Sequence, residues 1–213
     1  MYQYILFDLD GTLTDPGIGI TNSVAYALKK WNIEAEDRSK LYKFIGPPLL
    51  DSFRKYYGFS EEEAVQAIEY YREYFKVTGI YENTMYDGTE ELLKKLKQSG
   101  KTIVLATSKP QVFAEIILKH FNLDQYFDYV AGATMDGSRS KKSDVILYAL
   151  DQIGLNDRTK AVMVGDREHD ILGAKHAGLD SIGVLCGYGD REELEHAGAT
   201  YVVEKIEDVW ELV

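Results

Sequence analysis

The chain has 213 residues, 28% of them charged and 45% hydrophobic, and a formal net charge of −11. That size suits one packed domain, or a core domain with a small accessory one, and the negative charge argues against nucleic acid, which is held mainly through clustered Lys and Arg. A single cysteine, Cys186, excludes an internal disulfide, and no apolar run approaches the length of a membrane span, so a cytoplasmic protein with no membrane partner is expected.

The continuous apolar run Tyr4-Ile5-Leu6-Phe7 predicts a short strand buried on both faces, ending on Asp8 and Asp10 with Gly11 opening a turn. Pro16-Gly17-Ile18-Gly19 then reads as a hinge-like break. From Ile20 to about Tyr81 the period becomes helical, in Val24, Leu28 and Trp31, in Leu41, Phe44 and Ile45, in Leu49, Leu50 and Phe53, and in Ala64, Ala67, Ile68, Tyr71 and Phe75. Ser60 with Glu63 is a capping-box start. With no strand signal there, residues 16–81 are expected to be an inserted domain of about four helices, and residues 1–15 and 82–213 the core. Tyr56, Tyr57, Tyr70, Tyr71 and Tyr74 read as packing between these helices.

Beyond it, residues 88–99 predict an amphipathic helix with Leu92, Leu93 and Leu96 inward, stopped by Gly100. A second buried strand over residues 102–106 ends in Thr107-Ser108-Lys109-Pro110, and Pro110 suits the first turn of a helix carrying Val112, Ile116 and Leu118. Strands over residues 129–132, 161–164, 181–184 and 201–203 alternate with helices over 142–153 and 170–177, with a last helix after residue 203. Alternation of this kind predicts an α/β fold, a Rossmann-like parallel sheet flanked by helices.

Ligands of such sheets bind at the carboxyl ends of the strands. Asp8 and Asp10, Thr107 and Ser108, and Asp166 all stand at strand ends, and Lys142 opens a helix. Two adjacent acids repel unless a cation or a shared proton holds them, and a hard, oxygen-seeking Mg²⁺ is the simplest partner. A nucleophile, an acid/base group, hydroxyls for phosphate oxygens, an ammonium counter-charge and metal carboxylates are what phosphoryl transfer through an aspartyl-phosphate needs. Asp170, four residues past Asp166, is near enough to assist a metal directly or through water. Taken singly, Thr107 and Ser108 would serve to cap the following helix, Asp170 to complement a helix dipole, and Lys142 as a solvated charge.

Asp8-Leu9-Asp10-Gly11-Thr12-Leu13-Thr14-Asp15 resembles motif I of the haloacid dehalogenase superfamily, Asp-x-Asp-Gly-Thr-Leu-x-Asp. Thr107 stands where the motif II Ser/Thr does, Lys142 resembles the motif III lysine, and Gly165-Asp166-Arg167-Glu168-His169-Asp170 resembles motif IV. Many such phosphatases carry Lys-Pro-x-Pro at motif III, whereas Ser140-Lys141-Lys142-Ser143-Asp144 leaves two candidate lysines; the helix face Val145-Ile146-Ala149-Leu150 favours Lys142. The resemblance spans nearly the whole chain and implies a phosphoglycolate phosphatase-like member with an α-helical cap, whose cap loop Phe44-Ile45-Gly46-Pro47-Pro48-Leu49 matches. It implies Asp8 as nucleophile, Asp10 as general acid/base with its backbone carbonyl on Mg²⁺, Asp166 and Asp170 as metal residues, and Thr107, Ser108 and Lys142 on the phosphate. Gly46 belongs to the substrate-binding cap loop, and Arg54, just beyond it, is a candidate for a substrate anion, with an exposed ion pair as the alternative.

The implied activity is Mg²⁺-dependent hydrolysis of a small phosphorylated metabolite, phosphoglycolate first, then nucleoside 5′-monophosphates or pyrophosphate. Asp10 disfavours a dehalogenase, which needs no proton donor, and a phosphonatase, which has a small residue there. A phosphomutase of the β-phosphoglucomutase type keeps both acids and stays open, while a non-catalytic regulatory member is disfavoured because every motif residue is retained. A monomer is preferred to a dimer. His169 is expected to be a local surface residue, and Cys186 a small residue after a strand rather than a nucleophile.

Overall fold

In the computed structural model, which describes residues 1–35 and 37–213, the first apolar run is strand β1 (Tyr4–Phe7). The chain continues through β2 (Thr14–Asp15), α1 (Gly17–Lys29), α2 (Leu49–Tyr57), α3 (Glu61–Phe75) and β3 (Thr84–Met85). Then come α4 (Thr89–Gln98), β4 (Thr102–Pro110), α5 (Gln111–His120), β5 (Tyr129–Ala133), α6 (Lys142–Gln152) and β6 (Ala161–Gly165). The last elements are α7 (Glu168–Ala177), β7 (Asp180–Val184), α8 (Arg191–Ala197), β8 (Tyr201–Val203) and a 3₁₀ segment, Ile206–Leu212. The chain divides into two units, one of Met1–Thr14 with Met85–Val213 and the other of Asp15–Thr84. Among the described residues no helix is long and apolar enough to cross a membrane.

The first unit is a six-stranded sheet in the order β5-β4-β1-β6-β7-β8, parallel throughout. Leu6, Val104, Ala106, Ala131 and Met163 point to one face, where they pack with Val145, Ile146, Ala149 and Leu150 of α6 and Ala174 of α7. Their strand neighbours Ile5, Phe7, Ile103, Leu105, Val162 and Val164 are buried on the opposite face, as period-two alternation requires. Phe7 is registered with Leu105 on one side and Val164 on the other, so the residues that follow these three emerge together at one sheet edge. The sheet hydrogen bonding runs on to Asp8, whose N–H donates to Val164 O at 2.9 Å.

Two details of this unit differ from the periodicity reading. Strand β4 runs on to Pro110, so Pro110 precedes α5 instead of filling its first turn, and the ladder to β5 shifts between Thr107 and Pro110. The helix then turns Ala114, Ile117 and Leu118 inward and leaves Val112 and Ile116 exposed. Helix α8, which the sequence did not announce, covers a small cluster of Ile171, Leu194 and Ala197.

The second unit holds α1, α2 and α3 with 3₁₀ segments at Arg38–Phe44 and Gly79–Tyr81 among its described residues. The capping box at Ser60 is formed, with the Glu63 N–H donating to Ser60 Oγ and the Ser60 N–H donating to the Glu63 carboxylate. The tyrosines pack with other rings, Tyr26 on Tyr74, Tyr56 on Phe44, Tyr70 on Trp31 and Tyr71 on Phe75, as the helical spacing predicts. Pro16-Gly17-Ile18-Gly19 is not a break. Pro16 caps α1, and Gly17 and Gly19 are buried in its first turns. The glycine serves close approach instead of flexibility, since a Cβ on Gly19 would stand 1.9 Å from Gly79 O.

Candidate active site

The turn after β1 is closed by backbone hydrogen bonds from Thr12, Leu13 and Thr14 to Leu9 O, and by the Gly11 N–H to Thr14 O. It presents Asp8 and Asp10, both buried, at the sheet edge where Thr107 and Asp166 also emerge. Lys142, at the start of α6, reaches this edge from the helix layer. Its Nζ lies 2.8 Å from Asp8 Oδ1 and 2.7 Å from Asp170 Oδ1, and donates to Ala106 O at 3.2 Å. Lys142 is buried, whereas Lys141 is exposed.

Carboxylate oxygens of Asp8, Asp166 and Asp170 all lie within 4.8 Å of one another, and all three residues are buried. Asp166 is clasped: Thr12 Oγ1 donates to its Oδ1 at 3.1 Å and the Tyr188 N–H to its Oδ2 at 2.8 Å. The Tyr188 contact depends on the loop after β7 lying flat against the acid, since a Cβ on Gly187 would come within 2.3 Å of Asp166 Oδ2 and 2.2 Å of Gly11 O. Asp170 accepts from the Arg167 N–H at 3.1 Å through its Oδ2. Its Oδ1, like Asp8 Oδ1, has ion-pair distance to Lys142 but no directed hydrogen bond. These buried oxygens of Asp8 and Asp170 without a directed hydrogen bond, beside the third carboxylate of Asp166, fit a hard divalent cation and suit a thiol- or imidazole-seeking metal poorly.

Burial pushes the Asp166 carboxyl well above its ordinary range, and the negative charges of Asp170 and Asp8 add to it. Asp170 is likewise raised by burial, to about 6, against the opposing pull of Lys142. For Lys142 burial alone would favour the neutral amine, but Asp170 and Asp8 together outweigh it and hold the ammonium above its usual value. Asp10 is raised by burial in spite of Lys109. These are acids crowded together with less positive charge than they need, the condition a bound cation relieves.

The carboxylate of Asp10 is not one of that group. Its Oδ2 pairs with Lys109 Nζ at 2.5 Å, with only 11% and 5% of the two side chains exposed. Lys109 is a site residue that the motif reading passed over, and its place two residues beyond Thr107 was the available signal. Thr107 is buried and its Oγ1 accepts the Lys109 N–H at 3.2 Å, so it shapes the strand tail and does not cap α5, and Ser108 beside it is half-buried. Gly46, half-buried at φ +100°, and Arg54, exposed on α2, belong to the second unit. His169 is half-buried, not a plain surface residue, and burial lowers its pKa. The Cys186 thiol is held up at about 11 by burial and by Asp166, which suits a protonated bystander.

A family model described as haloacid dehalogenase-like hydrolase matches residues 5–184. A 5′-nucleotidase of Pseudomonas aeruginosa is 49% identical over 193 residues, covering 91% of this chain and 87% of that protein. The tyrosine-protein kinase PtkA of Mycobacterium tuberculosis is 39% identical over 202 residues, covering 94% of this chain and 68% of that protein. The crystal structure of a predicted phosphatase from Clostridium acetobutylicum superposes with a TM-score of 0.97 at 51% identity, covering 100% of this chain and 98% of that one.

Proposed function

Because the chain belongs to the haloacid dehalogenase-like hydrolase family and is a phosphatase of that family, we propose that it is an Mg²⁺-dependent enzyme hydrolysing a small phosphate monoester through a phosphorylated Asp8. The observation that carries this reading is the buried group of Asp8, Asp166 and Asp170 joined by the Lys142 ammonium at the carboxyl edge of the sheet. Asp8, Asp166, Asp170 and the Asp10 backbone carbonyl would hold Mg²⁺, whose positive charge would offset repulsion between a carboxylate and a phosphate dianion.

The protein's own groups do the rest. An Asp8 oxygen attacks phosphorus, the bond to the leaving alkoxide breaks, and Asp10 gives that oxygen its proton. Thr107, the backbone near Ser108 and the Lys142 ammonium hold the equatorial phosphate oxygens. Asp10 then takes a proton from water as the water oxygen attacks phosphorus and frees Asp8, which restores both acids and releases inorganic phosphate. The helical unit serves as the cap, with Gly46 and Arg54 as its substrate residues.

Nucleoside 5′-monophosphates rank first as substrates, supported by the 49% identity to a protein named 5′-nucleotidase, with phosphoglycolate and pyrophosphate after them. A second reading, in which phospho-Asp8 passes its phosphoryl group to an acceptor hydroxyl instead of water, is supported by the 39% identity to a protein named as a kinase. The test is phosphate release from nucleoside 5′-monophosphates, phosphoglycolate, pyrophosphate and sugar phosphates, with and without Mg²⁺, for wild type beside Asp8→Asn. Mg²⁺-dependent release that disappears in Asp8→Asn is expected. Release from none of them by metal-loaded protein overturns the hydrolase reading, and a phosphorylated acceptor in place of free phosphate supports the second one.

A further inference from the structure

We propose that Lys109 is a positioning residue for the proton transfers at Asp10, a role that rests on the reading of Asp10 as the general acid and base. The geometry behind it is a division of labour between two buried ammoniums. Lys142 lies against Asp8 and Asp170, whereas Lys109 lies against Asp10. Lysine is almost never buried without a partner, and Lys109 is only 8% exposed at the end of an edge-directed strand tail. Its backbone is fixed by the hydrogen bond to Thr107 Oγ1, so the ammonium approaches Asp10 from a set direction.

A carboxylate rotates readily about its terminal bond, and its two oxygens are equivalent until something distinguishes them. Here Lys109 distinguishes them. Oδ2 carries the ion pair at 2.5 Å, while Oδ1 is buried and has no hydrogen-bond partner among the described residues. The oxygen left bare is the one available to hold and release the proton, and Lys109 keeps it the same oxygen through both half-reactions. In the first, Asp10 delivers the proton to the departing alkoxide as the Asp8–phosphorus bond forms. In the second, Asp10 accepts a proton from the attacking water as that bond breaks. Lys109 itself exchanges no proton and touches no substrate in this scheme.

The two half-reactions can be separated by leaving group. An alkyl alkoxide takes the Asp10 proton, whereas p-nitrophenolate departs without one and Asp10 releases its proton to solvent; both substrates then need the ionised Asp10 for hydrolysis of phospho-Asp8. Lys109→Met is therefore expected to give a burst of about one equivalent of p-nitrophenolate per site followed by slow turnover. On whichever alkyl monoester the wild type hydrolyses, it is expected to lose about tenfold or more in kcat, with KM changed by less than about twofold and no burst. In an Asp10→Asn background the same substitution is expected to cost nothing further, and Lys109→Arg to recover part of the loss. Wild-type behaviour of Lys109→Met, loss of the burst together with alkyl turnover, or an undiminished further loss in Asp10→Asn overturns the proposal. If Lys109→Met does not fold, Lys109→Arg and the Asp10→Asn/Lys109→Met pair, which buries no lone charge, decide it. Wild-type protein that hydrolyses no ester overturns the phosphatase reading instead.

Discussion

Lys142 places its ammonium 2.8 Å from Asp8 and 2.7 Å from Asp170, with all three side chains buried. Removing one partner from such a group leaves buried carboxylates facing each other uncompensated, which costs more than the intact arrangement contributed. Lys142→Met, nearly the same length without the charge, is expected to lower stability by about 3–5 kcal/mol in metal-free protein, read by denaturant unfolding. Turnover is expected to fall by about 10²–10³-fold, because the proposed mechanism uses the same ammonium to hold the transferring phosphate. Lys141→Met is the matched control: the side chain is exposed, and its stability change is expected to stay within about 0.5 kcal/mol. Equal losses in the two variants would show that the Lys142 ion pairs carry no special weight.

At the scale of elements, the strands were legible because a buried parallel strand is written as an unbroken apolar run: β1 and the core of β6 lie where the residues place them. Their polar ends were legible for the same reason, as abrupt changes from apolar to acidic at Asp8 and Asp166. Helix α8 was not, because seven residues with only Leu194 and Ala197 buried leave almost no periodic signal. Lys109 was missed because a lysine's partner is set by long-range register, here a strand tail in β4 against the turn after β1. The stretch at residues 16–19 misled for a third reason: glycine in sequence signals either freedom or contact, and only the packing partner tells which. The partner is Gly79, and it yields a prediction. Gly19→Ala drives a methyl into Gly79 O, which is backbone and has little room to give, so a loss of about 1–3 kcal/mol is expected from overpacking despite alanine's better helix propensity. A thermal melt of Gly19→Ala at or above the wild-type midpoint would mean that α1 shifts at no cost.

For the whole molecule, acidity is both a general and a local property, and pH separates the two. The net charge of −11 is spread over the chain and destabilises through repulsion that any salt screens. The acid cluster behaves otherwise. Burial raises Asp10, Asp166 and Asp170 in the folded state, Asp170 from 3.8 to about 6. A carboxyl raised on folding stabilises the fold fully below its unfolded pKa, and that contribution is lost as pH climbs through the folded value. For Asp170 the loss runs from about pH 4 to pH 6, so metal-free protein is expected to weaken across that interval. A divalent cation needs the ionised oxygens and competes with their protons, so its stabilising effect should grow as pH climbs through the raised folded values of these acids. At a hundred times its Kd, Mg²⁺ contributes about 2.7 kcal/mol if it binds only the folded chain. The measurement is the melting midpoint at pH 5, 6, 7 and 8 in EDTA, in MgCl₂, and in NaCl of matched ionic strength, for wild type and Asp166→Asn. A Mg²⁺ increment that rises with pH in the wild type and is absent from Asp166→Asn is expected. An increment flat in pH, or reproduced by NaCl, would assign the stabilisation to screening of the net charge and remove the metal from the cluster.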